Sequence, residues 1–352
     1  MPLYINYPSW LSPQIFPGVK FFSLFRWYGL MYVFAFLTAF LVFKKQVKQG
    51  DLNTPTHVVS DDDVFSFFTF SIVFLLIGAR LFSVLIYDTS SKYFTKPWLI
   101  FWPWDENWNF TGLQGMSYHG GFVGGFLGMV IWCKRHKQPM FKWIDAMGIS
   151  IPLGFTFGRI GNFLNGGELY GRITTMPWGV LFPNAPRFSS SIPWVQEFAQ
   201  AAGLSEATGL VNLPRHPSQL YEAFFEGIFL FVIFWLVRKK KPFDGFFITM
   251  YSVGYGLVRF VIEYFREPDA DLGYRIAVDK DAPIYLNQSL LNLSTGQILC
   301  LLMILGGLAF FAVMMIRKKK LASAQAVPNT PQTQKTAATQ KQQKPQNPRK
   351  KK

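Results

Sequence analysis

Charge is scarce in this chain, and acidic charge scarcest. Of 352 residues only 16% are Asp, Glu, Lys or Arg, and 20 are acidic, whereas a soluble domain carries about a quarter charged residues. The shortage is concentrated, because long apolar runs alternate with short charged clusters, as in a chain that crosses a membrane repeatedly. Cysteine is nearly missing too. Cys133 and Cys300 both lie inside apolar runs, which argues against a disulfide framework and reads them as small buried hydrophobes. No repeat is visible at solenoid periods. No cleavable signal peptide is expected, since the first apolar run is too long and ends in a basic stop.

What is present begins with a net charge of +15. Eleven Lys and Arg, with no acid, fall between Arg317 and Lys352. A basic tail behind an apolar helix is what the positive-inside rule expects of a cytoplasmic terminus, so the charge is not read as a nucleic-acid signal. The expected organisation is one membrane domain over residues 1–320 and a disordered basic cytoplasmic tail over 321–352, whose composition cannot build a core.

Seven apolar spans are expected: Trp27–Phe43, Val64–Tyr87, Met116–Cys133, Trp143–Leu164, Leu220–Val237, Phe246–Ile262 and Gln297–Ile316. Each is near the ~20 residues that cross a hydrocarbon core. Basic clusters follow the first, third, fifth and seventh spans and hold twenty-two of the 35 Lys and Arg. That threading gives an all-α polytopic membrane protein with its N-terminus outside and its C-terminus in the cytoplasm. The longer, less basic segments Asp88–Gly115, Asn165–Gln219 and Glu263–Gly296 then face outside. Trp98, Trp102, Trp104 and Trp108 in the first of them read as interfacial anchors.

Polar groups at membrane depth are the informative residues, because they are costly there and usually face a cavity or a partner. Arg80, Arg159, Asn162, Glu222, Glu226, Arg259, Glu263 and His119 all fall toward the same, outer, leaflet in this threading. The glycines of Gly115–Gly125 read as a close helix crossing. His119 among them has two readings, a hydrogen-bonded structural residue or a proton-transfer group with near-neutral pKa. The segment Gly158–Arg172, G-R-I-G-N-F-L-N-G-G-E-L-Y-G-R, also has two. Its arginine fork and exposed backbone N–H groups suit an anionic headgroup, while an Arg159–Glu168 ion pair holding a loop explains it equally. It lacks the Gly-Lys-Ser/Thr ending of a nucleotide P-loop.

Five segments in order carry a family resemblance: R-W-Y-G-L-M-Y from Arg26, G-M-S-Y-H-G-G from Gly115, the Gly158–Arg172 segment, R-H-P-S-Q-L-Y-E from Arg215, and R-F-V-I-E-Y-F-R-E-P-D from Arg259. Together they resemble the bacterial prolipoprotein diacylglyceryl transferases over roughly Ser23 to Arg317. One departure stands out: Gly166 and Gly167 both separate Asn165 from Glu168, where the usual pattern has one residue. The resemblance implies seven helices in the bacterial cytoplasmic (inner) membrane, a site opening to the outer leaflet, and neither metal nor cofactor. It implies phosphatidylglycerol as donor, a prolipoprotein lipobox cysteine as acceptor, and glycerol phosphate as the released product. The catalytic set it implies is His119, Arg159, Arg259 and Tyr28. The substrate-binding set is Arg159, Asn162, Glu168, Gly171, Tyr255, Arg259 and Glu263. On that basis Arg159 and Arg259 are expected on the phosphate and His119 on the proton. Tyr28, Asn162 and Tyr255 would orient the headgroup, and Glu168 and Glu263 hold the arginines. Two other classes stay open: a secondary transporter, whose polar residues cluster at the midplane, and a non-enzymatic lipid-binding scaffold, which needs the arginines but not His119.

Overall fold

In the computed structural model every one of the seven apolar runs is helical. The structure describes residues 4–18, 25–88, 92–104, 108, 110, 112, 115–166, 169–204, 209–268, 273–278 and 283–326. The chain divides into two compact units, Met1–Phe311 and Ala312–Lys352; the expected tail lies outside the described residues from 327 onward. The helices are α1 (Trp27–Lys48), α2 (Asp61–Phe82), a short α3 (Lys92–Thr95), α4 (Tyr118–Arg135), α5 (Met140–Leu164), α6 (Pro193–Ala201), α7 (Ser218–Glu222), α8 (Leu230–Val237), α9 (Phe246–Ile262) and α10 (Thr295–Ala326). Among the described residues, four stretches are long and apolar enough to cross a membrane: Trp27–Lys48, Asp61–Tyr87, Ser218–Lys240 and Thr295–Ser323. Phe246–Ile262 is apolar but shorter. Glycines and polar groups dilute α4 and α5, which carry His119, Lys142, Asp145, Arg159 and Asn162.

Local chemistry explains the helix ends. Ser60 and Asp63 form a reciprocal capping box at the start of α2, with Ser60 Oγ accepting from the Asp63 N–H at 3.1 Å and Asp63 Oδ2 from the Ser60 N–H at 2.9 Å. α5 stops at Gly166, which takes a left-handed φ of +69° and lies under the Tyr7 ring. α9 starts at Gly245, φ +98°, where the buried Asp145 carboxylate receives three backbone N–H groups.

Packing is set by small residues. α2 crosses α4 so closely that a Cβ on Gly120 would lie 2.3 Å from Gly78 O, and one on Gly124 2.3 Å from Phe74 O. Gly128 shares this seam. Gly121 and Gly125, expected in it too, have ordinary room there, since their nearest neighbours would stand at 3.5 Å. The seam therefore follows a four-residue spacing, as close helix packing requires.

The segments beyond the helices were expected to be loops, and here the all-α expectation is modified. Among the described residues three two-stranded ribbons form: β1 (Ile5–Asn6) beside β2 (Val180–Leu181), parallel; β3 (Phe188–Ser189) against β4 (Leu210–Val211); and β5 (Tyr274–Ile276) against β6 (Leu293–Ser294), both antiparallel. With α6, the β3–β4 ribbon encloses a small apolar core around Ile173, Val195, Leu213 and Leu286, and a second gathers Tyr7, Val180 and Phe182 beside the β1–β2 ribbon. This cap fastens the chain just beyond α5, just before α7 and just beyond α9. Gly171 N–H donates to His216 O at 2.8 Å, Arg172 N–H to Phe265 O at 2.9 Å, and His216 N–H to Arg172 O at 2.9 Å. Inside the clamp Arg215 pairs with Glu267, and Arg172 donates to Arg266 O at 3.0 Å and Leu286 O at 2.8 Å.

Candidate active site

The three helix ends that the cap clamps each deliver charge to one place. Glu222 closes α7, Arg159 stands near the end of α5, and Arg259 lies in the last turn of α9. One oxygen, Glu222 Oε2, stands 2.9 Å from Arg159 Nε and 2.8 Å from Arg259 Nη1. The carboxylate is fully buried, whereas the arginine side chains keep 17% and 11% of their surface. Arg259 also meets Glu263 at 3.0 Å and Glu226 at 3.5 Å. Glu263 is further engaged by Ser294 Oγ at 2.9 Å and Arg266 at 3.6 Å. Burying charges in this way is costly unless they are paired, and removing one partner strands the others.

The backbone is deformed where the carboxylates sit. Between α7 and α8 the residues Ala223–Phe229 form a π-helical stretch, a widening that often marks functional positions. Its cause is visible: Thr156 of α5 donates its hydroxyl to Ala223 O at 3.1 Å, and a Cβ on Gly227 would meet Thr156 Oγ1 at 2.0 Å. Only glycine lets α5 lie this close. Because Thr156 and Arg159 are three residues apart on one helix face, the same contact sets Arg159 beside Glu222.

The expected site residues divide by where they are placed. Arg159, Arg259 and Glu263 are brought together in the charge cluster. Tyr255 stands beside it, its ring 5.9 Å from Phe155, over which the Arg159 guanidinium lies at 4.7 Å. Tyr28 joins Tyr32 through their hydroxyls at 3.0 Å, and Tyr32 is within electrostatic reach of Arg159. Asn162 is buried one turn beyond Arg159. Gly171 belongs to the clamp, where a Cβ would meet Phe265 O at 2.4 Å and His216 O at 2.5 Å, so its requirement is steric. Glu168 lies outside the described residues, and Arg159 takes Glu222 as its ion-pair partner. His119 stands apart, exposed, with its Nδ1 3.3 Å from the Tyr87 hydroxyl. Arg80 is also separate: it donates to Ile100 O at 2.5 Å, Gly115 O at 3.2 Å and the Tyr93 hydroxyl at 3.1 Å, pinning the tryptophan-rich segment.

Glu222 and Glu226 were noticed as charges at depth but assigned no role. Their signal was present: two acids four apart in an apolar helix share a face. Among the described residues no group of His, Cys, Asp and Glu is suited to hold a metal. Above the site, burial pushes the His216 imidazole down to about 4.

Two guanidiniums from different helices converge on a buried carboxylate in an apolar helical bundle, the architecture of a membrane protein. The model of the family described as prolipoprotein diacylglyceryl transferase matches residues 19–313, and the chain belongs to that family. It is 52% identical over 327 residues to the phosphatidylglycerol--prolipoprotein diacylglyceryl transferase of Treponema pallidum (strain Nichols), covering 90% of this chain and 97% of that one. The relative so named in Treponema denticola is 52% identical over 334 residues, covering 91% and 97%. That of Borreliella burgdorferi (strain ATCC 35210) is 40% identical over 340 residues, covering 94% and 98%.

Proposed function

We propose that this chain moves the diacylglyceryl group of phosphatidylglycerol onto the lipobox cysteine thiol of prolipoproteins, forming a thioether and releasing glycerol phosphate, the first step of lipoprotein maturation. The observation that carries the chemistry is the shared oxygen of Glu222, 2.9 Å from Arg159 and 2.8 Å from Arg259. Two guanidiniums held side by side on one anionic oxygen can also receive a phosphate oxygen, which their planar forks suit. The reaction displaces a phosphate ester from an sp³ carbon by sulfur. The leaving phosphate gains negative charge, and fixed cations at its oxygens lower the barrier.

In this proposal Arg159 and Arg259 hold the phosphate and leaving group, and Glu263 and Glu222 hold the arginines. Tyr28, Asn162 and Tyr255 orient the glyceryl headgroup. His119, exposed on α4, meets the arriving peptide. The chain crosses the bacterial cytoplasmic membrane seven times with its N-terminus outside, and the site faces the outer leaflet. Its exposed tryptophans, among them Trp98 and Trp108, then lie at headgroup level. A cysteine introduced near Lys239 is labelled only from the cytoplasm and one near Asn184 only from outside; labelling of both from one side would overturn this threading.

The activity test uses the purified full chain in phosphatidylglycerol micelles with a lipobox peptide. The expected result is a peptide heavier by one diacylglyceryl group, attached through a thioether, and no product in phosphatidylcholine micelles. Lipid binding without thioether would support the scaffold reading instead.

A further inference from the structure

Four groups are candidates to take the thiol proton, three within the charge cluster and His119 apart from it. Glu222 bridges both arginines through one oxygen. Glu263 receives Arg259, Arg266 and Ser294. His119 is exposed beside Tyr87 and shares no contact with either arginine among those of the described residues. Glu226 is fully buried and meets Arg259 only at 3.5 Å, the longest of the carboxylate contacts to that arginine; its Oε2, like Glu222 Oε1 and Glu263 Oε2, has no hydrogen-bond partner among the described residues. It sits inside the π-helical stretch that Thr156 and Gly227 hold open. We infer that Glu226 is the base of the transfer reaction, and that the donor lipid's phosphate arms it by taking Arg259. This rests on the transferase reading.

The charge count supports it. Among the described residues, three arginines, Arg159, Arg259 and Arg266, face three carboxylates, Glu222, Glu226 and Glu263. A phosphodiester brings one more negative charge into a cluster already balanced. Glu226 has the weakest hold on Arg259, so the incoming phosphate displaces it first and leaves a buried carboxylate without a counter-ion, the condition under which a carboxylate takes a proton. The S–H bond of the peptide cysteine then breaks and its proton goes to Glu226. The S–C bond to the glyceryl carbon forms as the C–O bond to phosphate breaks, and the electron pair leaves on glycerol phosphate. The negative charge that Glu226 loses reappears on the leaving phosphate beside Arg159 and Arg259, so the buried cluster keeps its net charge through the step. The other groups facing Glu226 are Arg159 on α5, Tyr251 and Tyr255 on α9, Tyr118 on α4, Cys300 on α10 and Glu222 on its own segment.

The test compares Glu226→Gln, Glu226→Asp, His119→Gln and the unaltered chain in phosphatidylglycerol micelles, measuring lipid binding and single-turnover thioether formation against pH. Gln keeps size and hydrogen bonding but accepts no proton. Glu226→Gln is expected to bind the lipid at least as tightly and to lose about 10²–10⁴-fold in turnover at neutral pH. Its rate then rises about tenfold per pH unit below the thiol's pKa of ~8.5, and a peptide thiol of lower pKa restores part of it. His119→Gln is slower without acquiring that slope. If Glu226→Gln does not fold, Glu226→Asp decides: a reduced rate that keeps the unaltered chain's pH profile supports the inference, and one that gains the slope overturns it. A Glu226→Gln rate within about tenfold of the unaltered chain, a loss that pH does not relieve, or the slope arising in His119→Gln would each overturn it. No thioether from the unaltered chain would instead remove the transferase reading beneath it.

Discussion

Two buried polar clusters hold α5 to its neighbours, one near each end, and they are built on opposite principles. Near Met140, Asp145 accepts the N–H groups of Gly245, Phe247 and Ile248 at 2.9, 2.8 and 3.2 Å and faces Lys241 at 3.4 Å. Beside it Gln46 of α1 gives its amide to Ala146 O and Ser150 Oγ, both at 3.0 Å. Near Leu164, by contrast, Glu222 Oε1 and Glu226 Oε2 are buried with no hydrogen-bond partner among the described residues. The carboxylate and amide of the first cluster, the joint, are hydrogen-bonded, as native interiors are almost everywhere, although Trp143 Nε1 nearby is not. In the proposed reading, the second cluster holds charge for the phosphate that arrives. The contrast separates two kinds of buried charge that look alike in a sequence.

The sharpest way to break the comparison is at the arginines. Lysine keeps the charge at Arg159 or Arg259 but loses the planar fork, so one cation can no longer serve several oxygens. Either Arg→Lys variant is expected to lose about 10²–10³-fold in turnover while its thermal unfolding in detergent stays near that of the unaltered chain. A lysine variant at full rate would mean that charge alone suffices.

Asp145→Asn probes the other end. It replaces one accepting oxygen by an amide that faces backbone donors, at a cost of about 1–3 kcal/mol. Turnover per folded molecule should be unchanged, since α9 carries Arg259 at its far end. Unfolding temperature and specific activity, measured on the same sample, check both halves. A variant that kept its stability but lost turnover would show that the joint takes part in the site.

A smaller effect is expected from the cap. The folded protein keeps His216 neutral, with its pKa lowered to about 4 by burial against ~6.5 when unfolded. Above pH 6.5 neither state binds the proton, and this contribution is fully present. As pH falls from about 6.5 toward 4, the unfolded chain gains a proton that the folded one refuses, and stability is lost. His216→Phe should flatten that part of the stability–pH curve. An unchanged slope would place the titration elsewhere.

Much of this was legible beforehand, because helices announce themselves by apolar length and the motif segments held most of the converging residues. Arg159, Arg259 and Glu263 could be named because charge at membrane depth is rare. Their common partner could not. Glu222 and Glu226 were visible as acids, but nothing in one sequence says that α5 approaches the π-helical stretch closely enough to join them; that depends on the contact between Thr156 and Gly227. Gly171 was legible as a requirement yet not as a clamp, because its neighbours, His216 and Phe265, are distant in sequence. The ribbons were missed because two- and three-residue strands leave no periodic signal. The α2–α4 seam is legible in kind from Gly115–Gly125 but not in its members, since Gly128 belongs to it while Gly121 and Gly125 have ordinary room.

The smallest effect should come from the cysteines, and it tests whether reactive chemistry belongs to this chain or to its substrate. Cys133 is fully buried at the joint end, in an aromatic cluster with Phe67, Trp132 and Trp143. Cys300 is 4% exposed on α10, and its backbone carbonyl, not its thiol, packs against Gly256, where an added Cβ would lie 3.1 Å away. Cys133 is remote from the charge cluster, and Cys300, though it faces Glu226 and Arg259 electrostatically, is not one of its ion-paired groups. In the proposed reaction the nucleophilic sulfur is the peptide's, and a thiol held in apolar surroundings is a poor nucleophile. The Cys133→Ala and Cys300→Ala double variant should therefore keep most of its turnover and lose about 1 kcal/mol of stability per site. Mass spectrometry of the unaltered chain during turnover should find no lipid on either residue. A diacylglyceryl adduct on Cys133 or Cys300 that the peptide then discharged would replace direct displacement with a two-step transfer, and would require the bundle to open at a point where it is now fully packed.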